Sequence, residues 1–163
     1  MIEVADLEFG YGKEALFQNL SLNLEPGNIY GLLGRNGAGK TSLLRIFCGQ
    51  LYRWKGLCSV LGVDPGRRSA DMLADIFYLP EEYYLPAVKP DEYVAMYSPF
   101  YPKFDPAKFE HVQREFGLPA AKKLFELSYG QKKKFLISFG LAPGCSLVLF
   151  DEPTNGLDIP SKS

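Results

Sequence analysis

Residues 34–41, GRNGAGKT, constrain this chain more strongly than any other segment of its 163 residues. The spacing G-x-x-x-x-G-K-[ST] is typical of a phosphate-binding loop when a strand precedes it and a helix follows. The apolar run at 28–34 (NIYGLLG) predicts a buried parallel strand, and residues 41–49 (TSLLRIFCG) predict an amphipathic helix. Because both neighbours of the loop are of the required kind, an ordinary glycine-rich turn is the less favoured interpretation.

The chemistry of such a loop explains its spacing. Glycines allow backbone N–H groups to point inward at phosphate oxygens, at the positive end of a helix. Lys40 adds a mobile positive charge for the β- and γ-phosphates, and the hydroxyl group of Thr41 is a ligand for Mg²⁺. We therefore expect a nucleoside triphosphate here. The residues of the loop expected to bind it are Gly34, Asn36, Gly37, Ala38, Gly39, Lys40, Thr41 and Ser42.

Two adjacent carboxylates follow an apolar run near the end of the chain, in LVLFDE. In proteins with a phosphate loop, a hydrophobic strand carries an aspartate to the Mg²⁺ site, and Asp151 fits that role. Glu152, one residue further, is placed to orient or deprotonate an attacking water. A solvated acidic strand end is the alternative interpretation, and the phosphate loop makes it the less favoured one.

The segment LSYGQKKKF, residues 127–135, allows two interpretations. Ser128 and Gln131 have the spacing of a capping box that opens an amphipathic helix. Lysines at 132, 133 and 134 oppose the helix dipole, unless an anion such as a phosphate group lies in front of the helix. The local sequence favours neither interpretation over the other.

Strand and helix signals alternate in the first half of the chain, where 58–65 predict a strand with a turn and 74–80 a further strand, as parts of a parallel sheet. Aromatic residues and helix signals replace them between residue 81 and about residue 123, and a strand signal returns at SLVLF. The formal net charge of −1 gives no basic surface for nucleic acid. No apolar segment approaches the ~20 residues that a membrane-spanning helix needs.

The motifs, taken in order, resemble those of the nucleotide-binding domains of ABC transporters, most closely the ATPase subunits of bacterial exporters. GRNGAGKT resembles the Walker A loop, LVLFDE the Walker B strand, LSYGQ the family signature and NGLD the D-loop. The resemblance implies an α/β P-loop NTPase core, a mostly parallel sheet with flanking helices. It adds an antiparallel β edge at the N-terminus and a small inserted α-helical subdomain. One domain would span 1–163, incomplete at its C-terminus, with its core at 1–80 and 135–163 and the helical subdomain at 81–134.

The resemblance also implies residue roles. The implied catalytic residues are Glu152, Lys40 and Ser128. Outside the phosphate loop, the implied nucleotide contacts are Tyr11, which would stack on adenine, Ser128, Gly130, Gln131 and Asp158. The implied metal ligands are Thr41, Asp151 and Glu81. Two positions depart from the family pattern: Glu81 replaces the usual glutamine, and Tyr129 replaces a signature glycine.

The family's mode of action implies ATP and Mg²⁺ as cofactors and a head-to-tail pair of nucleotide-binding domains. It also implies an integral membrane permease as partner, a place on the cytoplasmic face of the membrane, and no nucleic acid. The aromatic residues between 83 and 101 either line the permease docking groove or form the core of the helical subdomain, and we favour the core slightly. A non-catalytic nucleotide-binding module and a soluble ABC protein are the alternative functions.

The family carries a switch histidine beyond the D-loop, whereas the only histidine of this chain is His111 on a predicted helix upstream of the signature. We therefore expect the chain to bind ATP but to hydrolyse it ~10²–10³ times more slowly than a complete domain does. Steady-state ATPase assays on this chain and on a version extended through the full domain measure that factor. Equal rates would contradict the expectation.

Overall fold

The computed structural model describes residues 1–119 and 122–157, which fall into one unit over Met1–Leu73 and a second unit from Ala74 onward. The first unit contains a three-stranded antiparallel sheet of β1 (Ile2–Tyr11), β2 (Glu14–Leu24) and β3 (Lys55–Val60), with β1 in the centre. Helix α1 (Lys40–Phe47) lies between β2 and β3 in the chain, and the short helix α2 (Ala70–Ala74) covers the change from the first unit to the second along the chain. The antiparallel N-terminal edge expected from the sequence is thereby confirmed.

The strand and turn predicted at 58–65 are present, as β3 and the turn at 61–62, but the strand pairs differently from the prediction. It runs antiparallel to β1, with Ile2 opposite Val60 and Val4 opposite Cys58. All four of these side chains are buried, so the alternating pattern of both strands turns one face to the same core. The expectation of parallel pairing for this strand is therefore wrong, because β1 supplies a complementary edge in the opposite direction.

The parallel strand predicted at 28–34 is also not observed. These residues form no strand in the part of the chain that the structure describes, and Ile29 and Leu33 are exposed to 103% and 93%. A strand requires a neighbouring backbone that accepts and donates its hydrogen bonds, and apolar side chains alone do not supply one. The prediction is wrong because it was based on the apolar composition of the segment alone and identified no neighbouring strand for it to pair with.

The second unit contains a parallel pair of strands, β4 (Ile76–Leu79) and β5 (Leu147–Phe150), in the register Ile76 to Leu147 through Leu79 to Phe150. Both strands were predicted. Three helices accompany them: α3 (Pro90–Tyr97), α4 (Pro106–Glu115) and α5 (Tyr129–Leu141). None of the described helices has the length and apolarity that crossing a bilayer requires.

Helix α5 fits closely against β4 because of one small residue. A Cβ atom on Gly140 would lie 2.2 Å from the ring of Phe77, so any larger residue would push the helix off the strand. The start of α4 is set by Asp105, whose carboxylate accepts hydrogen bonds from the backbone N–H groups of Ala107 and Lys108. Pro106 occupies the first helical position, where its fixed φ angle suits a helix and its missing N–H group is not needed.

The core of the second unit is aromatic and is centred on Phe139 of α5, which is 2% exposed. The rings within 5.2–6.3 Å of its ring belong to Phe77, Tyr93, Tyr101, Phe104 and Phe109. The aromatic residues between 83 and 101 therefore divide: some join this core, whereas Tyr84 and Phe100 are exposed to 87% and 68%.

We predict that Phe139→Ala lowers the free energy of unfolding of this unit by about 3–5 kcal/mol, because it leaves a cavity among five aromatic rings. Chemical denaturation followed by near-UV circular dichroism measures the change. Phe100→Ala is the matched control, since its exposed ring should contribute no more than about 0.5 kcal/mol. Equal losses for the two variants would contradict the packing described here.

Candidate functional site

The phosphate loop of the first unit has a backbone suited to an anion. Gly37 and Gly39 both have left-handed φ angles, of 81° and 93°. A Cβ atom on Gly39 would also lie 2.5 Å from the ring of Phe17, so the sharp turn into α1 brings the loop onto β2. No side chain of the described residues caps the N-terminus of α1, and its first turn carries no acidic residue. These features leave the positive end of the helix available to an anionic ligand.

Lys40 is placed across this loop. Its ammonium group donates hydrogen bonds to the backbone carbonyls of Gly34, at 3.0 Å, and Arg35, at 3.3 Å. Thr41 is half-buried beside it, and Ser42 is buried. The loop itself is exposed between Gly34 and Ala38. The structure therefore brings the lysine and both hydroxyl residues to one end of α1, as the motif predicted.

Tyr11, at the end of β1, is placed against the same helix. Its hydroxyl group shares a hydrogen bond of 2.9 Å with that of Ser42, and its ring meets Phe9 edge-on at 5.2 Å. The side chain is nevertheless 55% exposed. The Tyr11 ring is thus fixed by its contacts with Ser42 and Phe9 and is still accessible to solvent. Base stacking requires an aromatic ring of this kind.

The second unit places Asp151 at the end of β5. Its backbone N–H group donates to Leu79 at 2.9 Å, which continues the parallel ladder by one residue. The residue is 3% exposed, and its carboxylate accepts a hydrogen bond from the hydroxyl group of Tyr78 at 3.4 Å. Burying a carboxylate is costly unless hydrogen-bond donors or a cation compensate its charge.

Glu152 leaves the strand direction at once. Its backbone φ is 46°, in the left-handed region that residues other than glycine seldom occupy, and its side chain is exposed. Glu81 follows β4 and accepts a hydrogen bond from the side-chain amide of Asn155 at 3.1 Å. The segment after β4 and the turn after β5 are thereby joined at the same end of the parallel pair.

The described residues lack the clusters of ligand side chains that enclose a metal within a protein. Among residues 1–119 and 122–157, no three His, Cys, Asp or Glu side chains cluster closely enough to hold a metal ion. Mg²⁺ usually binds one or two carboxylates together with water and phosphate oxygens. The side chains of Asp151 and Glu81 carry oxygen atoms of that chemical class.

The capping interpretation of the signature segment is confirmed. The hydroxyl oxygen of Ser128 accepts a hydrogen bond from the N–H group of Gln131 at 3.3 Å, and the Gln131 side chain accepts one from the N–H group of Ser128 at 3.1 Å. Gly130 allows a close approach, since a Cβ atom there would lie 2.8 Å from the carbonyl oxygen of Gly156. Asp158, the remaining predicted contact, lies outside the described residues.

Tyr129, in place of the family glycine, packs within this unit. Its ring stacks on Tyr83 with centroids 5.8 Å apart and planes 20° apart. It also lies against Gly156, where a Cβ atom would be 2.3 Å from the ring. The hydroxyl group of Tyr83 donates to the Tyr129 carbonyl at 3.2 Å. The substitution thus joins the signature segment to the two segments that carry the carboxylates.

The three lysines of α5 do not face one anion together. Lys133 is completely buried, and its ammonium group donates to the backbone carbonyls of Glu152 and, at 3.2 Å, of Asn155. Lys134 lies 5.9 Å from the centre of the Phe116 ring. Burial lowers the pKa of Lys133, and the negative charges of Glu81, Glu152 and Asp151 oppose that shift. Lys133 is therefore compensated within the unit by backbone carbonyls, and a phosphate in front of the helix stays a prediction.

Sequence reasoning missed Lys133 and Asn155. A signal for the lysine was present: Lys133 precedes the buried Leu136 by three residues and the buried Gly140 by seven, which places it on the inner face of the helix. Asn155 opens the NGLD segment that resembles the D-loop, but nothing in that pattern indicates its hydrogen bond to Glu81.

Comparisons with known proteins agree with the motifs. The family model described as ABC transporter matches residues 17–155. The ABC transporter ATP-binding protein YtrB of Bacillus subtilis is 32% identical over 97% of this chain and 54% of its own length. The SkfA peptide export ATP-binding protein SkfE, also from Bacillus subtilis, is 31% identical over 99% of this chain and 70% of its own length. The chain thus spans about half to two-thirds of the length of these two relatives.

Two solved structures share the fold. One, an ATP binding subunit of an ABC transporter, has a TM-score of 0.85 and 26% identity, over 96% of this chain and 68% of that chain. The other, an ABC transporter ATP-binding protein from Pyrococcus furiosus, has a TM-score of 0.83 and 28% identity, over 98% of this chain and 79% of that chain. The chain therefore belongs to the ABC transporter family, and its α/β fold, with an antiparallel N-terminal sheet, a parallel sheet and helices, is that of the family's ATP-binding subunits.

Proposed function

We propose that this chain binds MgATP and hydrolyses it as the ATP-binding subunit of a membrane transporter. The observation that carries the proposal is the phosphate loop, with left-handed glycines at 37 and 39 and an α1 start that no described side chain caps. Lys40 lies across the same loop through its two backbone contacts. A triphosphate offers the negative charge that this arrangement favours.

In this proposal the residues divide their roles by chemistry. The backbone of 34–42 and the Lys40 ammonium bind the phosphates, and the half-exposed ring of Tyr11 stacks on the base. Thr41, Asp151 and Glu81 are the proposed Mg²⁺ ligands; the metal, when bound, neutralises charge on the phosphate oxygens.

Glu152 is the proposed general base. Its left-handed backbone turns the side chain away from the line of β5, and the side chain is exposed, which suits a group that must reach a water molecule. Strain of this kind recurs at functional sites because the surroundings hold a conformation that is otherwise rare.

The remaining roles concern partners. We propose that two such domains pair head to tail, so that Ser128, Gly130, Gln131 and Asp158 meet the nucleotide of the partner domain. A permease in the membrane would be the second partner, with this chain on the cytoplasmic face. The names of YtrB, an ABC transporter ATP-binding protein, and SkfE, a peptide export ATP-binding protein, support a transport role.

We predict that Lys40→Ala lowers the affinity for MgATP by at least about 100-fold, because it removes a charge-assisted contact to the phosphates. Isothermal titration calorimetry with MgATP measures the dissociation constant. Lys55→Ala is the matched control, since Lys55 is an exposed lysine of the same unit that pairs with Glu8 at 3.1 Å. Unchanged affinity in Lys40→Ala would show that the loop does not bind the nucleotide.

A further inference from the structure

Lys133 is an unusual residue for the interior of this protein. Of the charged residues that the structure describes, only Lys133 and Asp151 are buried. Burying an ammonium group is costly unless its hydrogen bonds are replaced. Lys133 replaces them with two backbone carbonyls, those of Glu152 and Asn155, and its ammonium lies 5.9 Å from the centre of the Tyr129 ring.

The two carbonyls belong to one turn. The N–H group of Asn155 donates to the Glu152 carbonyl at 3.2 Å, and the N–H group of Leu157 donates to Thr154 at 3.1 Å. The Glu152 carbonyl therefore accepts from both Lys133 and Asn155. This turn begins at Glu152. Among the described residues that follow β4, Glu152 is the only one other than glycine with a positive φ angle.

A left-handed backbone at glutamate persists only where its surroundings hold it. The backbone of Glu152 is bound directly by Lys133 of α5, a helix of thirteen residues that packs into the aromatic core. A second connection runs from Asn155 to Glu81, and a third from the Tyr129 ring to Gly156. The positive charge of Lys133 is also compensated. The carboxylates of Glu81, Asp151 and Glu152 all lie near enough to act on it electrostatically.

We infer that Lys133 is a positioning residue for Glu152: its buried ammonium group binds the turn after β5 and fixes the direction of the proposed general base. The inference rests on the proposed function for its catalytic consequence, but its structural consequence is independent of ATP. Lys133 touches neither the water nor the phosphates in this account. Its loss should therefore lower kcat and leave nucleotide binding nearly unchanged.

The test uses Lys133→Met, which keeps the length and apolar stem of the side chain and removes the donor. Lys133→Gln, which keeps an N–H donor on a shorter stem, is the second variant in case methionine prevents folding. Ser138→Ala is the matched control, because Ser138 is a buried polar residue of the same helix whose hydroxyl group donates to the Lys134 carbonyl, away from the turn after β5.

Hydrogen–deuterium exchange at the amides of 152–157 provides the readout that does not depend on activity. We expect Lys133→Met to raise exchange there by at least tenfold, with the amides of β4 and of the second half of α5 unchanged. Exchange at 152–157 equal to wild type, or raised equally throughout the unit, would overturn the inference. Ser138→Ala should leave the turn at the wild-type rate.

ATPase kinetics provide the second readout. We expect kcat to fall at least tenfold in Lys133→Met, with KM and the dissociation constant for MgATP within about twofold of wild type. A fall in affinity with kcat unchanged would contradict a positioning role. Wild-type protein that fails to bind MgATP would overturn the proposed function instead, and the exchange comparison would then decide the role of Lys133.

Discussion

The parallel pairing of β4 with β5 determines where the chemistry of the second unit lies. The four-residue register ends with Leu79 opposite Phe150, and the N–H group of Asp151 extends it by one hydrogen bond. Because parallel strands end at the same edge, the segments that begin at Glu81 and Asp151 leave the sheet together. Neither carboxylate would have its present neighbours without this register.

The same edge explains why a lysine is buried in α5. Carboxylates gathered at the end of two strands repel one another, and a left-handed turn after β5 adds backbone strain. The ammonium group of Lys133 acts on both. Its positive charge attracts the carboxylates, and its N–H donors bind the carbonyls of the turn. The capping box at Ser128 and Gln131 starts the helix that delivers this lysine. The hydrogen bonds of the capping box and of Lys133 therefore belong to both the fold and the candidate site.

Sequence patterns predicted those features whose causes are local. The helix start at Ser128 was predictable because a side chain caps its own helix. Pairing was less predictable, since β3 joined β1 in the antiparallel direction and residues 28–34 formed no strand. Which backbone lies next to a strand is decided by the whole fold. The burial of Lys133 was not predicted, because the three lysines were interpreted together through the helix dipole and not by the face of the helix on which each lies.

The central claim is that Asp151 at the end of β5 is a Mg²⁺ ligand of a nucleotide site. Titration of wild type and Asp151→Asn with ATP, each in Mg²⁺ and in EDTA, tests it most directly. The account predicts that Mg²⁺ tightens ATP binding to wild type at least about tenfold, and that Asp151→Asn loses this gain while its metal-free affinity stays the same. A variant that keeps the full Mg²⁺ gain would contradict the claim.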